Sequence, residues 1–489
     1  MFWRKNKKNR KIPSLSCANY LRSYIAVDEK PPTEIHEVKQ HITAIFSNSF
    51  DFAKRTFRMR DGCGVFLCFI SGISSENDLE EQVIKPLLKQ DIRSGDVINQ
   101  PGTYISVSKF SKPQNWQHLI DAILDGNILL HIDGAEPVIL QLADKQERSI
   151  MDPTTEYQVY GPKIGFIETS KTNIGILRQF IKDPRLKTLN YQIGTLTKTQ
   201  VALAYLEEYC QPGMVKYIDN KLTAYNKDSL LTQGELTKLI SKDPYSIFPQ
   251  ATLTERPELA AFSLIQGKIV LFVDNTTFCI VAPVTFMDML ETSEDQIFLV
   301  PWHLTFLRVM RLVSLFVGTT LPALYVALVA YQPELIPTTL TITVAQSRVQ
   351  IPLPAAAEAF LMMFALDVLV EASIRLPSFV GQTIGIVGGL VIGQAAVDAG
   401  IVSNTMVIVI AFTAIATFTL PSWEFVNSWR IVRYALVISS SLIGLYGLVL
   451  AVGFLLVHLC KLESMDRPYM YPIAPFDMKT LLTFFYPKR

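Results

Sequence analysis

Cysteine and histidine are scarce in this chain of 489 residues, and neither type is clustered. The six cysteines lie at positions 17, 63, 68, 210, 279 and 460, and this spacing fits no zinc motif. The nearest histidine pair, His36 and His41, does not align on one face of a helix. The sequence therefore predicts no metal site, no cofactor, and cysteines that stay reduced. A formal net charge of +1 excludes a general electrostatic attraction to nucleic acid.

Motifs of catalysis are also missing, so the chain is not expected to be an enzyme. No Walker or protein-kinase motif is present, and no nucleophile is recognisably paired with a base. Asp133 and Asp274 are assigned to turns, because Asp-Gly and Asp-Asn are turn sequences. The basic start MFWRKNKKNRK is not followed by the apolar segment of an export signal, so the N-terminal part is expected to be cytoplasmic.

Charge is nearly absent from the last part of the chain. Residues 301–489 hold 20 of the 89 Asp, Glu, Lys and Arg residues, which predicts a soluble part followed by a helical, membrane-embedded part. Uncharged runs long enough to cross a bilayer are 312–331, 376–397, 399–423 and 434–460. With the segment 355–374 they give about five spans, and the shorter run 335–347 is interpreted as interfacial or re-entrant.

The soluble part contains an internal repeat. The segments 118–142 and 259–283 match at a constant offset, which pairs Gly126 with Gly267 and Asp133 with Asp274. Each copy is predicted to be an apolar helix followed by a β-hairpin. We therefore expect two tandem α/β subdomains, each with a small mixed sheet. The predicted boundaries are 1–59 for a basic N-terminal segment, 60–143 for subdomain 1, 144–197 for a linker and the start of subdomain 2, 198–300 for subdomain 2, 301–460 for the membrane domain and 461–489 for a tail.

The segment 355–374 is long enough to span a membrane but carries Glu358, Asp367 and Glu371. Each carboxylate facing lipid would cost about 2.5 kcal/mol or more, so all three must face protein or water. Helical periodicity places one stripe on this helix, and its members are Phe360, Phe364, Asp367, Glu371 and Arg375. The stripe fits a water-filled path with an aromatic constriction and an acidic end, and it fits the alternative equally well. The alternative is a bundle helix in which Glu371 pairs with Arg375.

Glycine recurs at every fourth position of the next apolar run. Gly381, Gly385, Gly389 and Gly393 share one helix face, which is typical of close packing between membrane helices. Arginines at 308, 311, 375, 430 and 433 flank the spans and are expected on the cytoplasmic side. Five spans would then place the tail outside, although four or six spans remain open.

Four blocks of the sequence resemble the A subunits of the GerA family of spore germinant receptors. They are YGPKIGFIETSKTNIGILR (160–178), SIFPQATLTERPELAAF (246–262), GKIVLFVDNTTFCIVAPVTF (267–286) and ASIRLPSFVGQTIGIVGGLVIGQAAVDAGIVS (372–403). The resemblance covers about residues 60–460. It implies an oligomeric, channel-forming subunit in the spore inner membrane, whose opening releases cations.

The same resemblance implies two partners, a transporter-like B subunit that binds nutrient and a lipoprotein C subunit. Phe360, Phe364, Asp367 and Glu371 would then line the pore. Two other functions stay open on the sequence. One is a stage V sporulation relative that amplifies ion release, and the other is a secondary transporter, which would show paired inverted repeats with broken helices.

Overall fold

The computed structural model divides the chain into two compact units. They are Met1–Ser241 with Leu253–Pro283, and Lys242–Thr252 with Val284–Arg489. The structure describes residues 17–59, 61–89, 105–107, 109–144, 162, 164–292, 295, 300–376 and 393–486. Residues 145–161 and 163, in the segment predicted as the linker, lie outside these residues.

The first unit alternates helices and strands. In chain order its elements are α1 (Cys17–Leu21), α2 (Ile35–Ile45), β1 (Phe52–Arg58), β2 (Gly64–Ile70), α3 (Glu76–Asp78) continuing as a π-helical turn (Leu79–Ile84) into α4 (Lys85–Lys89), β3 (Phe110–Ser111), α5 (Trp116–Leu124), β4 (Ile128–Ile132), β5 (Val138–Leu140), α6 (Ser170–Phe180), β6 (Leu186–Ile193), β7 (Thr199–Leu206), α7 (Pro212–Thr223), α8 (Gln233–Ile240), β8 (Thr252–Thr254), α9 (Pro257–Ile265), β9 (Ile269–Val273) and β10 (Cys279–Ala282). Residues 35–58, predicted as part of a basic N-terminal segment, thus supply a helix and an edge strand.

The strands form two five-stranded sheets with the same order of strands. The orders are β1-β2-β4-β5-β3 and β6-β7-β9-β10-β8. Both sheets are antiparallel, so the prediction of mixed sheets is wrong. The long connection after β2 leads to β4, which pairs antiparallel with β2. The long connection after β7 leads in the same way to β9, which pairs antiparallel with β7. The central strands are buried on both faces because helices cover both sides of each sheet.

Matching positions in the two sheets make matching contacts. α5 and α9 both end in a glycine with positive φ, +92° at Gly126 and +79° at Gly267. A Cβ at Gly126 would lie 2.5 Å from the carbonyl oxygen of Ile73, and one at Gly267 would lie 2.4 Å from that of Tyr209. No residue but glycine fits either position without a shift of the backbone.

The two turn aspartates also have equivalent partners. A carboxylate oxygen of Asp133 accepts the backbone N–H of Ile35 at the start of α2, at 3.4 Å. The carboxylate of Asp274 accepts the N–H of Ser170 at the start of α6, at 3.0 Å. Each aspartate therefore satisfies a free N–H at a helix N-terminus, where a negative charge is also favoured.

A buried ion pair joins the two sheets inside the first unit. The guanidinium of Arg178 donates from Nε to Asp51 Oδ2 at 2.8 Å and from Nη2 to Oδ1 at 3.2 Å. Both side chains are 1% exposed, and the hydroxyl of Thr188 donates to the same carboxylate. Beside the pair, Gly72 and Gly175 approach so closely that a Cβ on Gly175 would lie 2.5 Å from the oxygen of Gly72.

The second unit is helical. Its elements are a 3₁₀ turn (Asp288–Leu290), α10 (Pro301–Ala330), a second 3₁₀ turn (Pro333–Leu335), α11 (Thr338–Arg348), α12 (Ala355–Arg375), α13 (Asn404–Phe418), α14 (Trp423–Ile443), α15 (Leu445–Lys461), a short hairpin of β11 (Glu463–Ser464) and β12 (Arg467–Pro468), and α16 (Met478–Phe485). One helix among the described residues, α10, is both long and apolar enough to cross a bilayer, while α13 and α15 are apolar but shorter. The five spans therefore stay a prediction.

One predicted feature of this unit changes in the structure. The uncharged run 434–460 is not one continuous helix, because the chain breaks at Gly444, between α14 and α15, with φ 64° and ψ −140°. The side of the membrane on which the tail lies stays a prediction, and the start of the tail has two partners in this unit. Ser464 donates to the carbonyl of Gln250 at 2.6 Å and accepts from the N–H of Val284 at 3.2 Å, and both partners lie at chain entry points.

Candidate functional site

The three acidic residues of α12 have three different environments. Glu358 is fully buried and satisfied. One of its oxygens accepts from the N–H and the hydroxyl of Ser403, and the other pairs with Arg348 at 2.5 Å. A carboxylate with these partners holds the start of α12 to α11 and α13 and has no free face for a ligand.

Asp367 faces α14 across the helix interface. Its Oδ2 accepts from the hydroxyl of Tyr434 at 2.6 Å, and its Oδ1 lies 3.3 Å from Nε of Arg430. Two turns earlier on α12, the ring of Phe360 stacks on the ring of Tyr434, with centroids 6.1 Å apart. Phe360 and Asp367 are therefore the residues by which α12 packs on α14.

Glu371 lies on a different, exposed stripe of the same helix. Its carboxylate pairs with Arg375 one turn later, with the closest nitrogen at 2.6 Å. Phe364 is 64% exposed on this stripe. The full stripe is Leu361, Phe364, Val368, Glu371 and Arg375, apolar in its first half and charged in its second.

An open depression of about 480 Å³ lies beside the charged half of this stripe. Asp367, Glu371, Arg375 and Arg430 line it, together with Val368 and Ala372. The depression therefore brings two carboxylates of α12 and two guanidinium groups to one surface.

The predicted stripe is thus divided between two faces. Phe364 and Glu371 lie together on the exposed face, as periodicity indicates, but Phe360 and Asp367 turn toward α14. Leu361 takes the place of Phe360 on the exposed face. The Glu371–Arg375 pair of the alternative interpretation is also present. The lining of a pore by these residues stays a prediction.

The predicted glycine face falls mainly outside the described residues. Gly381, Gly385 and Gly389 lie there, and Gly393 is the one member that the structure describes. A Cβ on Gly393 would lie 3.7 Å from a methyl group of Val407, which is an ordinary contact. The role of this face in packing stays a prediction.

The flanking arginines are engaged with acids or hydroxyls rather than free. Arg311 donates to Asp295 at 3.0 Å, and Arg308 pairs with Glu291 at 2.9 Å. The guanidinium of Arg433, buried between helices, donates to the hydroxyl of Thr417 at 3.1 Å. These contacts hold the first turns of α10 and the middle of α14 in place.

A cluster of aromatic rings around Phe248 was not predicted from the sequence. This ring is 2% exposed and packs edge-on against Trp429 of α14, with centroids 5.4 Å apart. It also contacts the rings of His458 and Tyr469. In the sequence, the block containing Phe248 indicated only the family resemblance. The available signal for its packing role was the Phe-Pro-Gln triplet, which stands among polar residues.

The amide side chain of Gln250 holds the same loop in shape. Its Oε1 accepts the N–H groups of Lys242 and Asp243, at 2.9 and 3.2 Å, and its Nε2 donates to the carbonyl of Asp243 at 2.6 Å. The loop 242–252 interrupts the first unit in the chain and is counted with the second. Through Phe248 this loop packs on α14 and α15.

The part of the chain that the structure describes contains no group of three or more His, Cys, Asp or Glu residues placed to hold a metal ion. The geometry of α12 is instead that of a charged helix packed in an apolar unit. Each of its three carboxylates pairs with an arginine, Glu358 with Arg348, Asp367 with Arg430 and Glu371 with Arg375.

Comparisons with known proteins identify the family. Residues 40–488 match the sequence model of the family described as "GerA: Bacillus/Clostridium GerA spore germination protein". The chain is 36% identical over 421 residues to spore germination protein KA of Bacillus subtilis (strain 168), covering 86% of this chain and 77% of that protein. It is 37% identical over 415 residues to spore germination protein GerLA of Bacillus cereus, covering 84% of this chain and 83% of that protein.

A third relative and one solved structure complete the comparison. The chain is 35% identical over 446 residues to the uncharacterized membrane protein YfkQ of Bacillus subtilis (strain 168), covering 90% of this chain and 86% of that protein. The crystal structure of the N-terminal domain of the A subunit of the Bacillus megaterium spore germinant receptor GerK3 matches 54% of this chain and 99% of that one. The identity is 26% and the TM-score 0.42. The chain belongs to the GerA family of spore germination proteins, in the A-subunit class that its sequence resembles.

Proposed function

We propose that this chain is the A subunit of a nutrient-responsive germinant receptor in the spore inner membrane. Copies of it assemble around α12 and form a path for cations, whose opening begins germination. Family membership supports the receptor role, and the names of relatives such as the membrane protein YfkQ support a membrane location. The absence of a recognisable catalytic motif in the sequence supports a non-enzymatic role.

The exposed stripe of α12 is the observation that carries the channel proposal. Phe364 and Val368 need an apolar neighbour, while Glu371 needs water or a counter-charge, and both needs fall on one helix face. A lipid-facing position would leave Glu371 and Arg375 in or near hydrocarbon at a cost of about 2.5 kcal/mol or more each. In a ring of subunits the same stripe faces a common axis, where its charged half is hydrated.

The four predicted pore residues then have distinct tasks. Phe364 forms the apolar constriction, since a ring of apolar side chains can close by excluding water. Glu371 provides the ring of carboxylates that favours cations. Asp367, held by Tyr434 and Arg430, positions α12 on α14 and contributes negative charge at the edge of the path. Phe360 supports this packing and stands back from the axis.

Topology and partners complete the proposal. The first unit is cytoplasmic, and its two sheets arose by internal duplication, which the shared strand order and the equivalent glycine and aspartate contacts support. The second unit is polytopic, with the glycine face of residues 381–393 packing helices within or between subunits. A transporter-like B subunit supplies nutrient recognition, and a lipoprotein C subunit completes the receptor.

The test replaces Phe364 by Ala in spores that carry this chain as their A subunit. Removing the constriction should make spores lose cations during formation or germinate without nutrient. Phe454→Ala is the matched control, because this phenylalanine of α15 is even more exposed, at 76%, and is not on α12. Protein levels in the spore membrane are measured for both variants.

Leakage from Phe364→Ala spores with normal Phe454→Ala spores supports the channel. Wild-type behaviour of both variants, at normal protein level, contradicts the pore assignment and leaves the family assignment intact. Equal leakage from both variants contradicts the special role of α12.

A further inference from the structure

The C-terminal helix α16 is fixed against the first turns of α10. The ring of Phe484 stacks on the guanidinium of Arg308, 4.4 Å from its centroid, and Arg308 also donates to the carbonyl of Phe484. The rings of Tyr486 and Trp302 meet edge to face with centroids 5.7 Å apart. These contacts give α16 a defined inner face and a defined position along α10.

A second apolar row of α16 is exposed and leads to Tyr486, which follows the helix and contacts Trp302. Met478, Leu482 and Tyr486 recur every fourth residue and are 53%, 58% and 43% exposed. The polar residues Lys479 and Thr483 follow them at the same spacing and are exposed too. A short helix with an unburied apolar row beside a polar row is the pattern of a helix that lies in a membrane interface.

The length of α10 fixes the depth at which α16 lies. Its 30 residues extend for about 45 Å, which exceeds the ~30 Å hydrocarbon core by about ten residues. The uncharged part begins after Arg311 and alone accounts for the core thickness. The turns before Arg311, on which α16 packs, therefore fall at the level of the lipid headgroups.

The apolar row of α16 is continuous with a longer exposed stripe on α10. Its members are Trp302, Phe306, Val309, Val313 and Phe316. This stripe runs from the headgroup level into the apolar part of α10. Its first residue, Trp302, is the one in contact with Tyr486, and Trp and Tyr are the residues enriched at membrane–water interfaces.

We propose that α16 and the first turns of α10 form one platform in the headgroup region. In it Met478, Leu482 and Tyr486 contact phospholipid, and Lys479 and Thr483 face water. The inference rests on the proposed membrane location of the second unit. It assigns the last helix of the chain a lipid-binding role that fixes the first span at a set depth.

The test places the photo-reactive residue p-benzoylphenylalanine at single positions of the full-length protein, reconstituted in bilayers of one phosphatidylcholine. After irradiation, mass spectrometry separates lipid adducts from cross-links to protein. The probe positions are Met478 and Leu482, and the matched water-facing controls are Lys479 and Thr483. A probe at Phe316 reports independently whether α10 lies in the bilayer.

Lipid adducts severalfold more abundant at Met478 and Leu482 than at Lys479 and Thr483 support the platform. Cross-links to a second copy or to another part of the same chain overturn it, as does equal reaction at all four positions. A lipid adduct at Phe316 without one at Leu482 overturns this inference alone. Failure at Phe316 as well overturns the membrane location on which it rests.

Discussion

The buried pair between Asp51 and Arg178 should control the stability of the whole first unit. In Asp51→Asn the guanidinium of Arg178 loses its charge partner while remaining buried. Its other protein acceptor is the carbonyl of Asp183, at 3.3 Å from Nη1. Removing one member of a buried pair costs about 3–5 kcal/mol, because the remaining charge is uncompensated. That is a large part of the ~5–15 kcal/mol by which a typical domain is stable.

Native-state hydrogen exchange of the full-length protein measures this cost locally. A loss of about 3 kcal/mol or more reduces the protection of the slowest amides in β6 and β7 at least about a hundredfold, since ~1.4 kcal/mol corresponds to a factor of ten. The double variant Asp51→Asn/Arg178→Met should recover part of the loss, because replacing both charges by groups of similar volume is often neutral.

A matched control is the surface pair between Lys182 and Asp125, which joins the same two halves of the unit at 2.6 Å. These side chains are 58% and 48% exposed, so Asp125→Asn should cost only about 0.2–1 kcal/mol. Equal protection in the Asp51→Asn and Asp125→Asn proteins would refute the view that burial makes the inner pair decisive.

Three further predictions concern single residues of the described structure. Burial lowers the pKa of His131, whose Nε2 contacts the carbonyls of Thr33 and Ala135 and whose Nδ1 is buried without a partner among the described residues. As the pH falls below about 6.5, the unfolded chain takes up a proton at this histidine more readily than the folded chain does. The free energy of unfolding should therefore decrease as the pH falls. The thermal midpoint at neutral pH and at about pH 5 measures this, and the loss should be smaller in His131→Gln, in spite of the nearby charge of Asp133. Gly126→Ala should destabilise by at least about 1–2 kcal/mol through its left-handed backbone and the clash with Ile73, while Gly213→Ala, where a Cβ meets nothing within 4 Å, should be neutral or stabilising in the same denaturation assay. Phe248→Ala should cost about 3–5 kcal/mol and speed hydrogen exchange in residues 462–470, whereas Tyr245→Ala, which alters an exposed ring of the same loop, should leave exchange there unchanged.

The equivalent turn positions of the two sheets were predictable because the segments 118–142 and 259–283 place the same residue types at the same points of the backbone. A glycine follows each helix and an aspartate opens each turn, so Gly126 and Asp133 align with Gly267 and Asp274 in the sequence. The register of the hairpins was not predictable. Ile139 pairs with Leu129 in the first hairpin. Its equivalent in the second hairpin, Ile280, pairs with Leu271, which corresponds to Leu130 and not to Leu129. The two registers therefore differ by one residue. Strands buried on both faces carry no alternation that would fix a register.

The candidate site was predictable in type but not in detail. Periodicity along α12 places Phe360 and Phe364 within one broad stripe, yet the neighbouring helix α14 takes Phe360 and leaves Phe364 exposed. A single sequence does not show which flank a neighbour will cover. The break at Gly444 was not predicted for a related reason. The length of an uncharged run can be read from the sequence, but an interruption of its helical backbone cannot.

Contacts between residues far apart in the chain could not be predicted from the sequence. Asp51 and Arg178 are 127 residues apart, and nothing in either neighbourhood marks the other as its partner. Glu358 is not a member of the predicted stripe. Its burial against Ser403 depends on the return of α13 beside α12, which sequence periodicity does not encode.

The account depends most directly on the claim that the exposed stripe of α12 surrounds a cation path. The decisive measurement is the current through planar bilayers that contain the purified full-length protein. The account predicts a larger cation-selective conductance for Phe364→Ala than for wild type or Phe454→Ala, and a reversal potential that shifts toward lower cation selectivity when Glu371→Gln is added. No conductance from Phe364→Ala at equal protein incorporation, or a selectivity that Glu371→Gln leaves unchanged, would contradict it.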